Sequence, residues 1–257
     1  MANELQPLSV LFQNRLFRIP DYQRGYAWKR EQLVDFWEDL LNLHEDRYHY
    51  TGLLSLKAAG QESVADFTKN EWLPSGYKLF HVVDGQQRLT TFSILLFEIT
   101  LFIKKLSENN GKTEDEIVLG DETLKQIREK YIVRNRPSRE LEIVKTFLFG
   151  YETDNPSADY LKYKIFEERF GGTAFETYYT KNLKYAKGFF ADSLQSLYES
   201  EGVDGVDRLY QKLTLRLMFN LHEIEDDYDV FVAFETMNNR GKKLTNLVIK
   251  RIKENNY

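Results

Sequence analysis

The chain has 257 residues, enough for one large domain or two small ones, and a 42% hydrophobic, 14% aromatic composition that can fill a core. A net charge of −5 argues against a strongly basic nucleic-acid-coating protein, although a local basic groove remains open. The absence of cysteine removes disulfides, thiolate metal sites and cysteine nucleophiles together, and a cytoplasmic location is the default expectation.

The predicted elements run as follows. Residues 8–19 read as a short helix or strand and then a strand closing at Arg18-Ile19-Pro20. A helix over 29–43 places Leu33, Phe36, Trp37, Leu40 and Leu41 on one face. Tyr50–Lys57 reads as a strand, 59–77 as a loop or hairpin connection, and 78–83 as a buried strand that stops at Asp84-Gly85. A helix follows from about 86 to 106, with Leu89, Phe92, Ile94, Leu95, Leu96 and Ile99 apolar.

The polar, glycine-containing stretch 107–122 suggests a boundary. Beyond it the pattern is mostly helical: 122–131, 139–149, 158–170, 173–198 and 204–220, with 132–138 as a short strand or loop and Asn220–Glu225 extended. A helix over 228–237, a turn at Asn238-Asn239-Arg240-Gly241 and a last short helix from Thr245 complete the reading. So short a last helix is not stable alone: either it docks on the helical region or the natural protein continues beyond it, and the second is the leaning expectation. No apolar run approaches the ~18–20 residues of a membrane span, and the first residues lack the basic and apolar regions of a signal peptide.

The most informative segment is Asp84-Gly85-Gln86-Gln87-Arg88 followed by Leu89-Thr90-Thr91. Strand, glycine turn and helix N-terminus favour a bound anion such as a phosphate, because free backbone N–H groups and the positive dipole end point at it. Gly85 allows close backbone approach, and Arg88 offers a bidentate fork to phosphate oxygens. Gln86 or Gln87 is suited to positioning a water, and Thr90 or Thr91 to bonding an oxygen. Asp84 either caps the helix or helps hold Mg²⁺ through water. A plain capping turn explains the same residue types about equally well. No Walker G-x-x-x-x-G-K-[ST] sequence is present.

Two further stretches stand out. Arg18 to Trp28 (RIPDYQRGYAW) is a loop between strand and helix, in which Tyr22, Arg24, Tyr26 and Trp28 alternate; Arg24 with stacked aromatics suits a nucleotide, while Trp28 suits the core. Phe234 to Thr245 (FETMNNRGKKLT) reads first as a helix end, a polar turn and a new N-cap. The four histidines, His44, His49, His81 and His222, lack metal-ligand spacing, and His81 reads as a core or edge residue.

Together these stretches resemble the D-G-Q-Q-R family of prokaryotic proteins, whose N-terminal domain looks like ParB and sulfiredoxin. The family includes the S half of GmrSD-type modification-dependent restriction enzymes and phage-defence proteins. The resemblance rests on I-P-x-Y-Q-R-x-Y-x-W at 19–28, D-G-Q-Q-R-L-T-T at 84–91 and F-E-x-x-N-x-R-G-x-x-L-T at 234–245, in the family's order. It implies an α+β fold: a ParB/sulfiredoxin-like mixed α/β core over 1–106, then a mainly helical region over 107–257.

It also implies a nucleoside triphosphate and Mg²⁺ at the D-G-Q-Q-R segment, with hydrolysis in several members. The match carries over Asp84, Gly85, Gln86, Gln87 and Arg88, then Tyr22, Gln23 and Arg24, then Asn238 and Arg240. Implied partners are a nuclease domain or subunit and modified DNA. Full-length members often carry an HNH-type nuclease; no such histidine and metal motif occurs in this sequence, and sulfiredoxin chemistry needs a cysteine that is absent. Two other readings stand beside this one. One is a DNA-sensing module using Arg134, Arg136, Arg139, Arg240, Lys242, Lys243, Lys250, Arg251 and Lys253; the other is a ParB-like nuclease.

Overall fold

The computed structural model describes residues 4–136, 144–168 and 174–224. In chain order the elements begin with β1 (Glu4–Pro7), α1 (Leu8–Leu11), β2 (Arg15–Ile19), α2 (Arg30–Asn42), β3 (His49–Ala58), α3 (Gln61–Asn70), β4 (Lys78–Asp84) and α4 (Gln86–Lys105). They continue with β5 (Val118–Leu119), β6 (Glu122–Thr123), α5 (Leu124–Tyr131), β7 (Val133–Arg136), β8 (Val144–Phe147), β9 (Phe149–Tyr151), α6 (Ala158–Tyr160), α7 (Tyr178–Gln211) and β10 (Leu217–Ile224). The fold is α+β, as the sequence predicts.

A six-stranded mixed sheet in the order β1-β10-β3-β4-β2-β9 organises the molecule. β2 runs parallel to both β4 and β9, whereas β3 is antiparallel to β4 and parallel to β10. The carboxyl ends of β4, β2 and β9 therefore lie along one edge. That edge is where open parallel sheets place ligands, because the chain leaves each strand there and loops can converge. The division expected at 106 runs through this sheet: β9 and β10 come from after it, and one cluster of buried residues extends from Leu8 to Leu221.

Helix α4 is the central element. Every residue from Leu89 to Thr100 is buried, so it packs on all sides and lacks a polar face. Phe92 links it to Phe36 of α2 at 5.1 Å and to Phe219 of β10 at 5.2 Å between ring centroids. Central burial fixes the axis of α4, and with it the direction in which its N-terminus points.

Several expected elements differ. The 139–149 helix is replaced, where described, by strands β8 and β9, since Val144–Phe147 pairs with β7 and Phe149–Tyr151 with β2. The 59–77 connection contains α3, a helix with no buried residue and hence a weak apolar signature. The helices expected over 173–198 and 204–220 form one element, α7, kinked at Gly202 (φ 66°), and the chain turns to strand at Leu217. Both helices expected after residue 225, the turn at Asn238 and the residues Asn238 and Arg240 lie outside the described residues.

Candidate functional site

Strand β4 delivers Asp84, half-buried, to the carboxyl edge, and Gly85 makes the turn with φ 90° and ψ 3°. A side chain there would need the left-handed region, and its Cβ would lie 2.9 Å from Leu54 Cδ1 and 3.0 Å from Leu53 O. Glycine is thus required by both conformation and space. No side chain caps the first turn of α4, so the dipole end of a 20-residue helix meets this edge unquenched.

Two irregularities in the sheet decide what the motif side chains do. The β3–β10 register passes from Tyr50 to Gly52 and skips Thr51, and Arg88 Nη1 donates to the Thr51 carbonyl oxygen. Glycine suits position 52, where φ is 113° and a Cβ would displace the Arg88 guanidinium from its present place. The β3–β4 register passes from Asp84 to Val82 and skips Val83; Gln23 Nε2 donates to the Val83 carbonyl at 2.9 Å and to that of Val82 at 2.8 Å. Each bulge takes a carbonyl out of the ladder, and a motif side chain satisfies it.

Gln87 joins the two motifs. Its Oε1 accepts from Ala27 N at 2.6 Å and its Nε2 donates to Gly25 O at 3.2 Å. The loop is further held by Tyr26, fully buried, whose hydroxyl hydrogen-bonds Thr91 Oγ1 at 2.7 Å, and by Asn182 Nδ2, which donates to Tyr26 O at 3.1 Å. Arg24 sits between the anchors at Gln23 and Gly25 and is exposed. Trp28 packs on Phe36 (6.2 Å between centroids), as expected of a residue facing the core.

Thr90 and Thr91 are buried and return their hydroxyls to Gln86 O and Gln87 O, each at 2.8 Å. They face the core rather than the edge. Gln86, the first residue of α4, keeps a buried Oε1 without a hydrogen-bond partner; so does Gln23. Tyr22 lies against Glu152 and Asp21, and burial, reinforced by both acids, pushes its phenol well above the usual tyrosine range.

Two residues that the sequence reading did not single out complete the edge. Glu152, directly after β9, accepts from Asp21 N at 3.0 Å and pairs with His81 Nε2 at 3.1 Å. His81 in turn supports its carboxylate form, and the Glu152 carboxyl is held below the usual range by His81, the Asp21 amide and Arg18 against the opposing effect of its burial. Tyr151 places its buried hydroxyl beside Thr90 without completing a hydrogen bond. No local signal marks either residue, since both reach the site only through the β2–β9 pairing.

Among the described residues no group of three or more histidine, aspartate or glutamate side chains is arranged to hold a metal ion. No described helix is long and apolar enough to cross a membrane. Of the basic residues expected to form a DNA patch, Arg134 is half-buried beside Tyr77 and Arg136 is exposed; the others lie outside the described residues.

A comparison with curated proteins found no match. A family model described as the GmrSD restriction endonuclease, N-terminal domain, matches residues 8–250, which takes in all of the edge just described. The chain belongs to the family of GmrSD restriction endonuclease N-terminal domains.

Proposed function

We propose that this restriction and phage-defence module binds a nucleoside triphosphate at the carboxyl edge of β4, β2 and β9, and hydrolyses it. The observation that supports this reading most is the placement of Arg24. Gln23 ties its loop to the end of β4 and Gln87 ties it to the first turn of α4, so the exposed Arg24 stands in a loop anchored on both sides to the strand-turn-helix whose N-terminus no side chain caps. Backbone N–H groups, helix dipole and a fork-shaped cation together form a phosphate cradle.

The roles then divide. Gly85 admits the phosphate close to the backbone, and Arg24 neutralises it, with those N–H groups of Arg88 that do not serve Thr51. Gln86, with its unpaired Oε1, is the glutamine placed to orient a water, because Gln87 is spent on the loop. Asp84 is the carboxylate that would hold Mg²⁺ jointly with the phosphates, and the ion would supply charge neutralisation there. Hydrolysis would gate a nuclease domain or subunit acting on modified DNA.

The test is Mg²⁺-dependent phosphate release from ATP, GTP, CTP and UTP. Turnover of at least one, lost in Asp84→Ala and in Gln86→Ala, is the expected result. Turnover unchanged in both variants would remove the assignment.

A further inference from the structure

A cavity lies beside the outer strand β9 and meets the D-G-Q-Q-R edge only at Tyr151. It is a cleft of about 240 Å³ whose lining includes Arg18, Glu71, Phe147, Gly150, Tyr163 and Phe166. It contains none of the residues Asp84 to Arg88. Arg18 is 3% exposed and forms the polar part of its floor. Its Nη1 donates to Phe17 O at 2.9 Å and Phe147 O at 3.1 Å, its Nη2 pairs with Glu71 Oε2 at 2.7 Å, and its guanidinium lies 4.9 Å from the Phe67 ring centroid. Gly150 leaves the cleft open: a Cβ there would stand 3.7 Å from the guanidinium. Phe147 and Phe166 stack at 5.2 Å with 15° between planes, and a π-helical turn at Leu161–Ile165 carries Lys162 and Tyr163 to the rim. Such turns recur at functional sites.

The lining selects among ligand classes. The volume falls below the ~300 Å³ lower end of pockets for drug-sized molecules, which limits the occupant to one ring system with small substituents. Two cations, Arg18 and Lys162, face two anions, Glu71 and Asp159, so the cleft as a whole favours neither a free anion nor a free cation. A purely apolar ligand would cover the Arg18–Glu71 pair without bonding the second carboxylate oxygen of Glu71 or the Arg18 N–H groups beyond those bound to Phe17 O, Phe147 O and Glu71. What remains is a neutral planar ring with a donor and an acceptor on one edge, able to stack on aromatic walls and to meet the carboxylate and the guanidinium side by side.

We infer that the Arg18 cleft is a binding site for a nucleobase ring, separate from the phosphate-binding turn. The ring stacks against the Phe147, Phe166 and Tyr163 side and presents its hydrogen-bonding edge to Arg18 and Glu71. Its source is either a free nucleotide or a base of a single-stranded nucleic acid, and both present the same chemistry.

The test is calorimetry on the whole chain with adenosine, guanosine, cytidine and thymidine, none of which carries a phosphate. At least one binds, and Gly150→Val, which puts three carbon atoms into the cleft beside the Arg18 guanidinium, weakens it by about tenfold or more. Tyr163→Ala, a truncation at the half-exposed rim, weakens it too and carries the test if Gly150→Val does not fold. Absence of binding by all four nucleosides, or unchanged binding by either variant with a wild-type thermal melt, overturns the inference. Arg24→Ala, which removes the proposed phosphate contact, leaves nucleoside binding intact, so the two assignments fail separately. Competition by a nucleoside triphosphate or by a single-stranded oligonucleotide then identifies the source of the base, and either one supports the site.

Discussion

Arg88 donates to the carbonyl oxygen of Thr51, the residue that the β3–β10 ladder skips. The arginine of the motif therefore has a structural duty in addition to any phosphate contact. Arg88→Ala leaves that half-buried carbonyl without its partner and is expected to cost about 1–3 kcal/mol of stability. Urea denaturation of the variant measures this. A midpoint equal to wild type would show that Thr51 O is satisfied otherwise. Loss of ligand binding in Arg88→Ala alone is for this reason weaker evidence than loss in the exposed Arg24→Ala.

Gly85→Ala is expected to be destabilising whatever the ligand. The left-handed backbone costs a residue with a Cβ about 1–2 kcal/mol, and the new methyl crowds Leu53 O at 3.0 Å. A total near 2 kcal/mol corresponds to a melting temperature lower by about 4–8 °C for a domain of this size. A calorimetric melt at the wild-type temperature would mean that the turn relaxes freely.

Gln87 holds the Arg24 loop by two hydrogen bonds to backbone. In Gln87→Ala both are lost, and the loop opens more often without global unfolding. Limited trypsin digestion reads this directly, because Arg24 lies in the released segment. Cleavage after Arg24 should be faster in the variant than in wild type. Equal rates would show that Tyr26 and Asn182 suffice.

Glu98 of α4 gives a pH signature. Burial raises its carboxyl to about 7, with Lys187 and Lys105 opposing and Glu167 adding to the rise. Its folded-state value lies above that of the unfolded chain, so the folded form holds the extra proton. The stabilising contribution is full below about 4.5 and is lost as pH rises toward about 7. The slope from this one group is at most about 1.4 kcal/mol per pH unit. Denaturation at a series of pH values should show stability falling across that window, and Glu98→Gln should flatten the fall. An identical profile in the variant would assign the slope to other groups.

The strand-turn-helix at 78–106 was legible because it is local: an apolar run, a D-G turn and an apolar helix follow one another in sequence. The strands β8 and β9 were not, since Lys145, Thr146, Phe147, Leu148 and Phe149 form a short mixed run whose extended shape depends on pairing with β7 and β2. Within the edge, the residue types of the two motifs were readable, but their division of labour was not. That Gln23 and Arg88 hold backbone carbonyls follows from two bulges that leave no mark in local sequence, and that Gln87 holds the Arg24 loop follows from a contact across 60 residues. Glu152 and Tyr151 belong to the same class, brought in from a strand more than 60 residues beyond Asp84 by sheet pairing alone.

The proposed function requires a triphosphate held between the α4 N-terminus and Arg24. Calorimetric titration of wild type and Arg24→Ala with ATP, GTP, CTP and UTP in the presence of Mg²⁺ tests it most directly. Saturable binding of at least one nucleotide by wild type is expected, weakened about tenfold or more in Arg24→Ala, with both proteins melting alike. Absence of binding to wild type, or equal affinity in the variant, would contradict it.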